Sequence, residues 1–128
     1  MKNLKVLIVD DSAVMRKIVE RALRQAGLDI SEVLEAGNGA EALAEVQKGS
    51  LDLILSDINM PVMDGLEFLK SLAAMEAAKG VPVVMITTEG SEARVVEALS
   101  AGAKGYLRKP FTPDQVKERI VPLLRGSQ

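Results

Sequence analysis

Apolar residues crowd into five short runs, at residues 6–9, 32–36, 51–55, 81–87 and 105–107, and segments of helical period follow each of them. Such alternation predicts strands that pair in parallel, with crossover helices covering both faces of the sheet. Between the first two runs, Val14/Met15, Ile18/Val19, Ala22/Leu23 and Ala26 recur at three- and four-residue spacing, which predicts a first helix burying that stripe. Later helices carry start signals in which a side-chain acceptor is followed three residues on by an acid or amide. These are Asn38 with Glu41, Asp64 with Glu67, and Thr112 with Gln115. Pro113 suits the first position of the last helix, whereas Pro122 lacks the N–H that an interior position needs, so that helix is expected to kink or end near it.

The chemistry of the runs also orders the sheet. Strands buried on both faces are unbroken apolar stretches, and edge strands tolerate charge. The first, third and fourth runs are therefore central. The second contains Glu32 and Glu35, and the short fifth leads into Arg108 and Lys109, so both are expected at the edges. The result is an α/β, flavodoxin-like doubly wound (βα)5 fold with a five-stranded parallel sheet in the order 2-1-3-4-5. In such sheets ligands bind at the carboxyl ends of the strands, beside the switch point between the first and third.

Composition narrows the chemistry. A length of 128 residues with 48% hydrophobic content fits one domain, expected to span residues 1–128, and no Ser, Gly or Pro tract marks a linker. Sixteen basic against eighteen acidic residues provide no field for a nucleic-acid backbone. The early apolar run at 6–9 is too short for a signal core or membrane span, so a cytoplasmic protein without membrane insertion is expected. Cysteine and histidine are both absent, which excludes disulfides, thiol nucleophiles and histidine general-base chemistry. Any metal would then have oxygen ligands, favouring Mg²⁺, Mn²⁺ or Ca²⁺.

At the strand ends the chain supplies Asp10, Asp11, Asp57, Thr87 and Lys109. Two carboxylates about 5 Å apart repel by roughly 3 kcal/mol at an effective dielectric of 20, so three together call for a cation or raised pKa values. A divalent ion with Lys109 balances the three acids and leaves the site able to accept a phosphoryl group. Taken singly, each residue has an ordinary explanation: a helix cap for Asp10 and Asp11, a turn for Asp57, a strand position for Thr87, a solvated lysine for Lys109, and a packed aromatic for Tyr106. Neither capping nor turn formation requires acids, a hydroxyl and a lysine at successive strand ends.

Four segments carry a resemblance to a known family: Val6-Leu7-Ile8-Val9-Asp10-Asp11-Ser12, Ser56-Asp57-Ile58-Asn59-Met60-Pro61-Val62-Met63-Asp64-Gly65, Ile86-Thr87, and Lys109-Pro110-Phe111. Over essentially its whole length the chain resembles response-regulator receiver domains, in layout the single-domain chemotaxis regulators. The resemblance implies a two-component phosphoacceptor, an autocatalytic switch rather than a turnover enzyme, with Asp57 as nucleophile forming an acyl phosphate from a histidine kinase. It implies Mg²⁺ as cofactor, held by Asp11, Asp57 and the carbonyl of Asn59, with Asp10 holding coordinated water. Lys109 would pair with a phosphoryl oxygen, with a cis bond to Pro110. Thr87 would bind the phosphoryl group and shift, letting Tyr106 turn inward and changing the face made by the fourth helix, fifth strand and fifth helix for an effector protein.

Other readings compete. Gly37, Asn38, Gly39, Ala40, Glu41 and Ala42 follow a strand, with Asp57 twenty residues after Gly37, and satisfy a loose dinucleotide-binding pattern. Asn38 with Glu41 already explains that stretch as a cap. A small aspartate-based phosphatase acting on an external phosphomonoester would share the nucleophile and metal, but it would need an acid where this chain has Asn59. An unphosphorylated interaction module is a third reading, although all the expected site residues are present. Within the resemblance, Asn59 and Glu89 match residue types of fast-cycling chemotaxis members. Glu92 and Pro122 stand where flagellar-switch binders carry lysine, so motor control, kinase regulation and a phosphate sink all remain open.

Overall fold

The computed structural model describes residues 3–88 and 92–126, with backbone alone at 125 and 126; Glu89 lies outside them. Five strands form one parallel sheet: β1 (Leu4–Val9), β2 (Ile30–Ala36), β3 (Leu53–Asp57), β4 (Val83–Thr87) and β5 (Gly105–Arg108), in the order β2-β1-β3-β4-β5. The helices are α1 (Ala13–Gln25), α2 (Gly39–Gln47), α3 (Gly65–Leu72), α4 (Glu92–Ser100) and α5 (Pro113–Gly126), with a 3₁₀ turn at Glu76–Ala78. None of the described helices is long and apolar enough to cross a membrane.

Alternation along the strands produces two cores. Val6 and Ile8 of β1, Leu55 of β3 and Ile86 of β4 face α1 and α5, meeting Val19, Leu23, Val116 and Ile120. Leu7 and Val9, with Ile54 and Met85, face the other way onto α2, α3 and α4, where Phe68 is the largest fully buried side chain. The period-2 geometry of strands therefore explains why the central runs are apolar throughout.

Three local expectations change. First, Val14 and Ile18 of α1 are not buried; they are 71% and 49% exposed, and Met15, Val19, Ala22, Leu23 and Ala26 form the inner stripe. Each exposed residue precedes a partly or fully buried neighbour, Met15 or Val19, by one position, a rotation of about 100° that carries it off a stripe of about that width. Second, the third strand starts two residues later than its apolar run and continues through Ser56 and Asp57, which pair with Val9 and Ile86 and are buried. Third, of the two outcomes expected at Pro122, a kink or an end, the end does not occur: α5 runs to Gly126. Ile120 and Leu124, buried on either side of Pro122, anchor both turns to the core despite the missing backbone bond.

The caps form as their chemistry predicts. Asp64 and Glu67 exchange side-chain and backbone bonds at 2.9 and 3.1 Å, and Thr112 and Gln115 do so at 3.3 and 2.9 Å. Asn38 caps the Glu41 amide at 3.0 Å, and the Glu41 carboxylate accepts from Gly37 N–H at 2.9 Å. Gly39 N–H donates to the Met63 carbonyl at 2.8 Å. The amides that a dinucleotide phosphate would need at this turn are thus engaged, which removes the physical basis of that reading.

Candidate functional site

Parallel register carries the site residues to one edge of the sheet. Val9 pairs with Ser56, so Asp10 stands level with Asp57 across β1 and β3; Asp57 pairs with Ile86, so Thr87 is one step beyond it on β4. Thr87 in turn pairs with Arg108, and Lys109 follows. Carboxylate oxygens of Asp10, Asp11 and Asp57 lie within 4.8 Å of one another. Lys109 Nζ is 3.1 Å from Asp10 Oδ2 and 3.7 Å from Asp57 Oδ2. One ammonium against three acids leaves two negative charges over, a hard-oxygen donor set suited to a divalent cation.

Each acid is held differently. Asp10 is buried, and its Oδ1 accepts from Ser12 N–H at 2.9 Å. Asp57 Oδ1 accepts from Ile58 N–H at 2.8 Å, and the Ser56 hydroxyl donates to the Asp57 carbonyl at 2.9 Å. Asp11 is exposed and, among the described residues, has no hydrogen bond or ion pair. Capping does not explain this aspartate pair, because the N-cap of α1 is Ser12, whose side chain accepts from Met15 N–H at 3.1 Å. Burial pushes the Asp57 carboxyl above its ordinary pKa; Lys109 pulls it back, while Asp10 and Asp11 add to the rise.

Of the other residues expected here, Thr87 is buried at its strand end and its hydroxyl donates to the Thr88 carbonyl at 2.9 Å. Asn59 is exposed in the loop two residues after Asp57. The Lys109–Pro110 peptide is cis. Tyr106 does not join the acids; it is half-buried on β5 against the α2/α3/α4 core. Glu92 opens α4 and pairs with Arg108 at 3.0 Å.

Several supporting residues escape the sequence pattern. Arg16 donates to the Asp10 carbonyl at 2.5 Å and to Glu35 at 2.8 Å, tying the turn after β1 to the edge strand. Val62 has a φ of 69° and is 82% exposed, in a three-residue turn where Met63 N–H reaches the Pro61 carbonyl at 2.7 Å. A β-branched residue is rarely found there. Gly65 N–H donates to the Ile58 carbonyl at 2.7 Å, and a Cβ on Gly65 would collide with the Asp57 carbonyl oxygen and stand 2.9 Å from Ile58 Cα. Only glycine lets α3 start so close to the acid. Gly65→Ala is expected to destabilise the protein by about 1–3 kcal/mol, measured by urea unfolding. A midpoint equal to wild type would contradict this close packing.

Comparison with known proteins agrees with the fold. The chain belongs to the response regulator receiver domain family, whose model matches residues 6–121. It is similar to chemotaxis protein CheY-3 of Vibrio cholerae, with 44% identity over 93% of this chain and 90% of the relative. The chemotaxis protein CheY homolog of Campylobacter jejuni is 42% identical, over 94% and 92% of the two chains. Among solved structures, the chemotaxis response regulator CheY4 of Vibrio cholerae superposes with a TM-score of 0.80 at 42% identity, covering 94% of this chain and 98% of that one. A response regulator from Chloroflexus aurantiacus reaches 0.86 at 32% identity, covering 97% and 99%.

Proposed function

We propose that the chain, as one receiver unit, is a phosphoacceptor switch in which Asp57 takes a phosphoryl group from a histidine kinase. The observation that carries this reading is the meeting of three carboxylates with the Lys109 ammonium at one edge of the sheet. An Asp57 carboxylate oxygen attacks phosphorus and forms a new P–O bond while the donor's P–N bond breaks, its electron pair leaving on the imidazole nitrogen. Lys109, hydrogen-bonded to Asp10 at 3.1 Å and 3.7 Å from Asp57, can follow the charge as it moves to the phosphoryl oxygens. Mg²⁺, when bound by Asp11, Asp57 and the Asn59 carbonyl, with Asp10 reaching it through water, would neutralise the cluster and draw charge from the transferring group. The Thr87 hydroxyl can exchange the Thr88 carbonyl for a phosphoryl oxygen, which frees space for Tyr106 to turn inward.

Output then passes through the α4-β5-α5 face to a partner protein; Val96 and Leu99 already stand exposed on α4. Similarity to chemotaxis proteins favours a role in chemotaxis, and the proposed kinase donor places the switch in the cytoplasm. Glu92, paired with Arg108, gives this face an acidic group where motor binders of the family carry lysine. A phosphatase acting on external substrates is disfavoured, since Asn59 cannot transfer a proton. With acetyl phosphate and Mg²⁺ the protein is expected to incorporate up to one equivalent of phosphate, released by alkali or hydroxylamine. Sustained turnover of a phosphomonoester such as p-nitrophenyl phosphate would favour the phosphatase instead.

A further inference from the structure

The guanidinium of Arg119 on α5 lies over the ring of Tyr106, 5.0 Å from its centroid. The Tyr106 side chain is partly buried against the α2/α3/α4 core, and the arginine covers its ring. Among the described residues, Arg119 has no ion pair or hydrogen bond and the Tyr106 hydroxyl has no hydrogen bond. The stacked contact is thus the specific interaction that either polar group makes there. Resting on the switch reading above, we propose that Arg119 is a positioning residue that clamps Tyr106 in the resting state and sets how readily the switch turns. Phosphorylation must break the stack before the ring can move. A cation–π contact at a half-exposed site then biases the resting population by about two- to fivefold. Removing it moves that bias to the switched form without touching the acids or Lys109.

Tyr106 is the sole tyrosine and there is no tryptophan, so intrinsic fluorescence reports this ring alone. In the unphosphorylated full chain, the Arg119 side-chain protons are expected to show upfield NMR shifts from the ring current, lost on adding acetyl phosphate and Mg²⁺. Arg119→Gln should change Tyr106 quenching by iodide before phosphorylation and accelerate phosphorylation by acetyl phosphate about two- to fivefold, with Arg119→Lys intermediate. Mass spectrometry of the same samples separates the possible failures. Label on Asp57 with unmoved Arg119 protons, or an Arg119→Gln variant with wild-type quenching and rate, overturns the clamp alone. Absence of label on Asp57 overturns the switch reading and the clamp with it.

Discussion

Replacing Asp11 with alanine is expected to remove Mg²⁺ binding while leaving the apo fold intact. The two effects separate because Asp11 is exposed, makes no hydrogen bond or ion pair among the described residues, and leaves the capping of α1 to Ser12. Its carboxylate nevertheless lies within 4.8 Å of ligand oxygens on Asp10 and Asp57. A ligand that binds only the native state stabilises it by mass action, so Mg²⁺ at ten times its dissociation constant should add about 1.4 kcal/mol to wild type. For a domain of this size that is about 5 °C in Tm. Asp11→Ala should unfold at or slightly above the wild-type apo temperature, since it also removes repulsion on Asp57, and should show none of this gain at the same Mg²⁺ concentration. Calorimetric titration checks the affinity directly, and a variant that binds as tightly as wild type would show that the metal site is misassigned.

Asp57→Asn is expected to raise stability in metal-free buffer, against the usual direction of core substitutions. Asparagine keeps the shape and the acceptor for Ile58 N–H, and Lys109 retains Asp10 at 3.1 Å, so the change mainly removes a buried charge facing two others. The gain should be on the order of 1 kcal/mol, about 4 °C in Tm. Its pH dependence has a definite sign. Because the folded carboxyl has a raised pKa, the native state binds more protons than the unfolded chain between the ordinary carboxylate range and that raised value. Wild-type stability therefore falls as pH rises through this window, whereas Asp57→Asn lacks that contribution. The advantage of the variant should open with rising pH and close below the ordinary carboxylate range, where both side chains are neutral. Saturating Mg²⁺ should narrow or reverse it. Thermal unfolding across pH in chelator tests this, and a less stable Asp57→Asn in chelator near neutral pH would mean that Asp57 serves as a structural partner.

Strand order was legible because burial on two faces, on one face or at an edge leaves a compositional mark. Glu32 and Glu35 placed β2 at an edge, and the uninterrupted central runs placed β1, β3 and β4 inside. The site was legible because strand ends in a parallel sheet converge, so spacing along the chain translated into proximity for Asp10, Asp57 and Lys109. Less legible were features set by rotation and by tertiary contact. Val14 and Ile18 share the helical period of the buried stripe, yet a rotation of one residue decides exposure. The reach of Arg16 to Asp10 and the seat of Arg119 over Tyr106 join elements far apart in the chain, and surface arginines carry no local mark of either role. Gly65 could have been suspected from its position after Asp64, but its close approach to the Asp57 backbone is visible only in three dimensions.

The central claim is that Asp57 is the phosphoacceptor, and locating the phosphate tests it most directly. Wild type and Asp57→Asn would be treated with acetyl phosphate and Mg²⁺, reduced with borohydride to convert an acyl phosphate to homoserine, and digested for mass spectrometry. With no histidine or cysteine in the chain, a phosphate released by mild alkali and by hydroxylamine is assigned to a carboxylate. Asp10 is the more buried acid and the closer to Lys109, at 3.1 Å against 3.7 Å for Asp57, so the choice of Asp57 rests on its place in the receiver-domain motif at the end of β3. Conversion at Asp57 in wild type, with little or none elsewhere in Asp57→Asn, is the result predicted. An alkali-stable phosphate, or undiminished labelling of Asp57→Asn, would contradict it.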